Sequence, residues 1–330
     1  MTKLFCFVME NDMQIHNTRN VFLFPGQGAQ YRGMGADFRE TPAGAELFQI
    51  ASDITGRDMT ALLQDADDET LKRTDVSQPA ITLVNLAAAR YLAEQGIQPA
   101  GCAGFSLGEY AALTVAGVIS PEECFKLVKK RGEAMQIASD RLGTGKNAPG
   151  MAAILGLAPD QVEALIAEWR IPGLYPANFN SPRQVAVSGT AEALASAEPR
   201  FKQAGAKRFI RLGVAGPFHS PLISDAAEQF RPALEALHFR DPVIPFYSNV
   251  SGSQVLTGEE AKRLSLRQIT EPVRWIAEEQ AIDKDGPEAV LETGPGKVLT
   301  GLWKDSDTSI PCFGAGTVEA IHRFISEKTK

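Results

Sequence analysis

A serine stands between two glycines in Gly104-Phe105-Ser106-Leu107-Gly108, after an apolar run ending at Ala103 and before the helical pattern Glu109-Tyr110-Ala111-Ala112-Leu113. Folded as strand, sharp turn and helix, such a stretch exposes the serine hydroxyl on a strained bend. The helix then aims its first N–H groups at any oxyanion formed there. The same residues also read as a loop with a capping serine, and the motif alone does not separate the two. Among the four histidines, His219 stands between Pro217 and Pro221, where a stiff backbone suits a positioned base and a structural role is the alternative. His16 lies in an N-terminal extension, His238 precedes the turn Arg240-Asp241-Pro242, and His322 sits beside Ile321, Phe324 and Ile325. In Pro25-Gly26-Gln27-Gly28 two glycines leave the backbone open, as a loop presenting N–H groups or as a tight turn. Lys129, Lys130 and Arg131 form a basic cluster that is either a solvated helix face or an anion site.

The chain has 330 residues, 44% hydrophobic and 22% charged, with a net charge of −7. That suits a large core and argues against nucleic acid as a partner. No apolar run reaches the roughly 18 to 20 residues of a membrane span. Cys6, Cys102, Cys124 and Cys312 lie far apart without a C-x-x-C pair, which points to neither a metal site nor a disulfide framework. Free thiols fit a reducing cytosol, so a cytoplasmic location is expected. Residues 1–19 read as an extension of no assigned role.

The elements that must hold these residues follow from periodicity. Val21–Phe24 reads as a buried strand, and short acidic helices fill 41–73. Ser77-Gln78-Pro79 opens a helix with the proline at its first position, closed by Gly96. Ser120-Pro121-Glu122-Glu123 caps a helix running past Arg131 to Ile137, and residues 140–150 form a glycine-rich loop. From 151 to 212 the order is β-α-β-β-α-β, that of a ferredoxin-like unit. A helix over 221–237 follows, then a strand at 243–247 ending in Ser248-Asn249, a helical region holding Gln268, Pro272 and Trp275, and a last strand at 289–292. Alternating strands and helices predict an α/β architecture with a mostly parallel sheet.

Taken in order, Phe24-Pro25-Gly26-Gln27-Gly28, the stretch Gly104 to Tyr110, Arg131-Gly132-x-x-Met135-Gln136, Asn180-Ser181-Pro182 with Val187-Ser188-Gly189, Phe218-His219-Ser220 and Glu292-x-Gly294-Pro295-Gly296 resemble the malonyl-CoA:acyl carrier protein transacylase family. The resemblance runs from about residue 20 to the end. It implies an α/β-hydrolase-like main domain over 20–147 and 214–330, with the ferredoxin-like subdomain over 148–213. It also implies Ser106 as nucleophile, His219 as base, and Gln268 as the residue whose backbone carbonyl orients the histidine. Gln27 and Leu107 would supply the oxyanion-hole N–H groups, Arg131 would pair with the malonyl carboxylate, and Gln78, Asn180, Phe105 and Phe218 would lie near the substrate. Phe105 departs from the family, which usually has histidine there, and this bears on acyl preference more than on reaction class.

The resemblance therefore implies ping-pong transfer of malonyl from malonyl-CoA, through an acyl-serine, to the phosphopantetheine thiol of acyl carrier protein. Fatty acid biosynthesis is the expected context, with no metal or other cofactor and a monomeric chain. The alternatives are a trans-acting polyketide acyltransferase, a hydrolase acting on acyl carrier proteins, and an inactive carrier-binding module. A buried cation is of no use to a hydrolase of uncharged chains, so Arg131 favours transfer.

Overall fold

The computed structural model describes residues 19–143, 145 and 147–328. His16 and Cys6 lie outside the described residues, as does the expected extension apart from Arg19. The chain opens with β1 (Asn20–Phe24), then α1 (Ala36–Arg39), α2 (Pro42–Thr55), α3 (Met59–Asp65), α4 (Asp68–Lys72) and α5 (Thr74–Glu94) before β2 (Pro99–Gly104). One expectation fails in α5: the helix begins at Thr74, so Pro79 lies inside it. Proline cannot donate to the carbonyl four residues back. That carbonyl, of Asp75, accepts instead from Arg57 Nη1 at 2.9 Å. The orphan left by the ring is thus satisfied from outside the helix.

Next come α6 (Gly108–Val115) and α7 (Pro121–Arg141). Ser120 and Glu123 close a reciprocal capping box at the start of α7, as the sequence predicts. Four strands, β3 (Gly150–Leu155), β4 (Leu174–Ser181), β5 (Gln184–Gly189) and β6 (Arg208–Arg211), then alternate with α8 (Pro159–Trp169) and α9 (Ala191–Gln203). They form an antiparallel sheet in the order β4-β5-β3-β6, the arrangement of a ferredoxin-like unit. The expected helix over 221–237 is a 3₁₀ turn (Pro221–Ile223) followed by α10 (Ser224–Glu235).

The remaining elements are β7 (Phe246–Ser248), β8 (Ser253–Val255), α11 (Gly258–Arg267), α12 (Trp275–Asp285), β9 (Ala289–Glu292), α13 (Val298–Asp305), β10 (Cys312–Gly314) and α14 (Val318–Lys328). Two expectations are corrected here. The strand placed at 243–247 starts only at Phe246, and Val243 is exposed, because Val243 bonds back to Ala116 rather than along a strand. The strand at 289–292 is not the last, since the short β10 pairs beyond it. Its three half-buried residues carry too weak a pattern to be read from sequence.

The large sheet runs β10-β9-β1-β2-β7-β8, parallel except for the edge strand β8. Alternation along β1 divides its side chains. Phe22 and Phe24 join the core made with α2, α5, α6, α7 and α10. Val21 and Leu23 join Trp275, Ile282, Leu299 and Trp303 on the other face. Each such large apolar side chain, fully buried, contributes roughly 1.5–3 kcal/mol. Together the two layers fix the ends of β1, β2 and β7 that carry the site. No helix among the described residues is long and apolar enough to cross a membrane.

Candidate active site

Ser106 lies two residues past the end of β2, with φ +51, in the left-handed region. A non-glycine residue held there costs on the order of 1–3 kcal/mol, so the surroundings must enforce it. They do so by close backbone packing. A Cβ on Gly108 would lie 1.9 Å from the Phe24 carbonyl oxygen, and one on Gly26 would lie 2.3 Å from the Phe105 carbonyl oxygen. Absence of both carbons lets the Gln27 loop, β1 and the start of α6 close around the serine. Gly26 thereby brings the Gln27 backbone beside the turn, and Leu107 caps the N-terminus of α6.

His219 is also held in the left-handed region, at φ +55, and is buried. Its Nε2 lies 2.8 Å from Ser106 Oγ. Its Nδ1 faces the backbone carbonyls of Gln268, at 2.8 Å, and Glu271, at 3.3 Å. Carbonyls only accept, so Nδ1 carries the proton and Nε2 turns its lone pair to the serine. Gln268 caps the C-terminus of α11, so the imidazole rests at the negative end of a helix. Burial, and next the Arg131 charge, push the His219 pKa down to about 4, against the pull of the two carbonyls. The ring is a neutral base at pH 7.

Arg131 lies deep in α7, 1% exposed. Its Nη2 donates to Ser106 Oγ at 3.2 Å and to Gln268 Oε1 at 2.9 Å, and its guanidinium carbon lies 5.4 Å from the centre of the Tyr110 ring. Nε has no hydrogen-bond partner, and among the described residues no carboxylate lies within ion-pair distance. Burial pulls its pKa down, opposed by Tyr110 and Glu109. Lys129 instead donates to the Ile54 carbonyl, and Lys130 pairs with Glu133 at the surface. Of the basic cluster only Arg131 enters the site.

The other candidates fall in different places. Gln78 is buried, its Nε2 on Met135 Sδ at 3.3 Å and its Oε1 unpartnered; Asn180 on β4 is buried with Oδ1 unpartnered. No hydrogen bond joins either to Ser106, His219 or Arg131. Phe218 is buried, and its carbonyl accepts a short hydrogen bond from Ser188 of β5, which ties the histidine segment to the antiparallel sheet. Phe105 stands one residue past the end of β2. Its ring packs on Trp275, centroids 5.4 Å apart, with Ala103 on the sheet face opposite α7, because it shares the side of β2 that Ala103 takes.

Sequence reasoning missed Asn249 and Glu109. Asn249 Oδ1 accepts from the Ser106 N–H at 2.6 Å, and Glu109 Oε2 accepts from the Asn249 N–H at 2.7 Å. Two signals were available: Ser248-Asn249 ends a parallel strand, where α/β sites gather, and Glu109 adjoins the serine motif. Burial raises the Glu109 pKa to about 7, offset by Asn249, Gln268 and Arg131.

A nucleophile, a neutral base and a fixed cation around one oxygen suit acyl transfer of an anionic group. Residues 21–313 match the family described as acyl transferase domain. A malonyl CoA-acyl carrier protein transacylase of Escherichia coli (strain K12) is 40% identical over 291 residues, spanning 87% of this chain and 92% of that protein. The structure of the malonyl CoA-acyl carrier protein transacylase from Coxiella burnetii superposes with a TM-score of 0.88 at 33% identity, over 95% of this chain and 99% of that one. A malonyl-transacylase solved in complex with its type II PKS acyl-carrier protein gives a TM-score of 0.87 at 34% identity, over 94% and 100%. With its serine turn, histidine and buried arginine set in that fold, the chain belongs to the acyl transferase domain family.

Proposed function

We propose that this chain transfers malonyl from malonyl-CoA to the phosphopantetheine thiol of acyl carrier protein. One observation carries the reading: a buried guanidinium without a carboxylate partner stands 3.2 Å from the candidate nucleophile. Burying such a charge unpaired is costly, and a malonyl carboxylate arriving with its thioester at Ser106 completes the pair. The likeness to malonyl CoA-acyl carrier protein transacylases, and to one solved with its carrier protein, supports the choice of donor and acceptor.

In the first half-reaction Ser106 Oγ bonds to the thioester carbon as His219 Nε2 takes the hydroxyl proton. The N–H groups of Gln27 and Leu107 are assigned to the tetrahedral oxyanion, where one donor is worth roughly 2.7–4 kcal/mol. The C–S bond then breaks, and the thiolate of coenzyme A leaves with the proton from His219. In the second half the carrier thiol gives its proton to His219, attacks the acyl-serine and releases Ser106 as an alcohol. Arg131 holds the malonyl carboxylate throughout, and the sequence of steps calls on no metal or redox group. In this reading residues 148–213 form an inserted subdomain, and the chain acts as a cytoplasmic monomer.

Intact-protein mass after brief exposure to malonyl-CoA tests the proposal. A malonyl adduct is expected on the wild-type chain, absent in Ser106→Ala and passed to added carrier protein. An adduct that forms best from uncharged acyl-CoA and is lost to water overturns it.

A further inference from the structure

Asn249 is fully buried between the serine turn and two carboxyl groups. Its Oδ1 accepts from the Ser106 N–H at 2.6 Å and from Gln268 Nε2 at 3.4 Å. Its Nδ2 donates to the Gly104 carbonyl at 2.7 Å and to Glu278 Oε1 at 2.8 Å. Two donors face the oxygen and two acceptors face the nitrogen, so only one orientation of the amide satisfies all four. Flipped, the amide would set NH₂ against the Ser106 N–H and oxygen against the Gly104 carbonyl. The backbone of Asn249 is fixed as well, by Glu109 at its N–H and by Arg274, whose N–H donates to its carbonyl at 2.8 Å.

The two atoms gripped on the turn, the carbonyl of Gly104 and the N–H of Ser106, flank Phe105 and lead into the strained residue. Gln268, touched by the same amide, donates to the Ser106 carbonyl at 3.0 Å and accepts from Arg131. We propose that Asn249 is the positioning residue of the nucleophile, setting the direction of Ser106 Oγ toward His219 through the turn and toward Arg131 through Gln268. This rests on Ser106 being acylated, as argued above. Burial, and next the neighbouring Glu109, raise the pKa of Glu278 well above the ordinary range, and its hydrogen bond from Asn249 pulls the other way.

The groups around the Asn249 side chain are Glu109 of α6, Glu278 of α12, Arg274 before α12 and, beyond Ser106 and Gln268, His219 and Arg131 of α7. In Asn249→Asp, a carboxylate would face the Gly104 carbonyl and Glu278. Protonated, it regains one donor for Gly104 and keeps the acceptor for Ser106.

Single-turnover acylation by malonyl-CoA, on protein shown to be folded by far-UV circular dichroism, tests this. Displacing a reacting atom by an ångström costs about 100-fold, so Asn249→Ala is expected to lower the rate constant by at least about 30-fold. The ratio of Asn249→Asp to wild type is expected to rise at least about fivefold between about pH 8.5 and about pH 6, as the new carboxyl takes up its proton. Asn249→Ala acylating within about threefold of wild type, or a ratio that stays flat with pH, overturns the inference while leaving Ser106 acylation standing. Should Asn249→Ala not fold, the pH ratio of Asn249→Asp decides alone. A wild-type chain that takes up no acyl group overturns both proposals.

Discussion

Arg131 and His219 meet on a single atom: Nη2 of the arginine lies 3.2 Å and Nε2 of the histidine 2.8 Å from Ser106 Oγ. The arginine donates to the oxygen while the histidine accepts its proton. Each helps the other, because the cation stabilises an alkoxide and also keeps the imidazole neutral. The cost falls on basicity, since a base with a depressed pKa takes a proton less willingly.

The first consequence is an acid limb at unusually low pH. With the His219 pKa pushed down to about 4, kcat/KM for malonyl-CoA should change little from pH 8 to pH 6 and fall below pH 5. A rate profile with its midpoint near the ordinary histidine value of about 6.5 would contradict this. The sign for stability is the same. A folded pKa below the unfolded one gives stability present above about 6.5 and lost as pH falls toward 4.

Replacing Arg131 separates its two effects. A charge-assisted pair worth about 1.5–3 kcal/mol implies that Arg131→Ala lowers acylation by malonyl-CoA about 10- to 150-fold relative to acetyl-CoA. Because the arginine charge is the second cause of the low His219 pKa, the same variant should move the acid limb upward. Acylation rates with both donors across pH measure both effects. Equal losses for the two donors would remove Arg131 from the carboxylate.

Glu109 works in the opposite pH direction. Its folded pKa of about 7 exceeds the unfolded value, so it contributes stability below about 4.5 that is lost as pH rises through 7. Glu109→Gln removes that loss, which amounts to roughly 3 kcal/mol at most. Urea midpoints at pH 5 and pH 8 should show the variant gaining on wild type at the higher pH. A constant difference would mean that Glu109 keeps the same charge at both.

Gly108→Ala tests the backbone packing. Its Cβ would lie 1.9 Å from the Phe24 oxygen and 2.7 Å from the Phe24 carbonyl carbon, both main chain, so no side chain can swing aside. A destabilisation of at least about 3 kcal/mol, the top of the overpacking range, is expected from denaturant melts. Wild-type stability in this variant would show that β1 and α6 separate easily.

Much of this arrangement was legible in sequence because it depends on local chemistry. The strand before Pro25, the capped start of α7 and the alternation of the antiparallel unit all announce themselves within a few residues. Pro79 misled because its compensation comes from Arg57, distant in sequence, and β10 was hidden by its brevity. The family resemblance pointed to Ser106, His219, Arg131 and Gln268, and the fold brings these four together. It could not supply the direction of the Phe105 ring, which depends on strand parity, nor Asn249, whose partners come from β2, α6, α11 and α12.

The group that orients His219 is a peptide carbonyl rather than a side chain, and this makes it invisible to ordinary mutagenesis. Any substitution at Gln268 leaves that oxygen in the chain. An alanine scan would report only the amide's contacts with Arg131, Ser106 and Asn249, and would mistake the loss of a brace for the loss of a triad member. Only a change to the backbone itself, such as an ester in place of the peptide bond after Gln268, would weaken the acceptor that the imidazole uses.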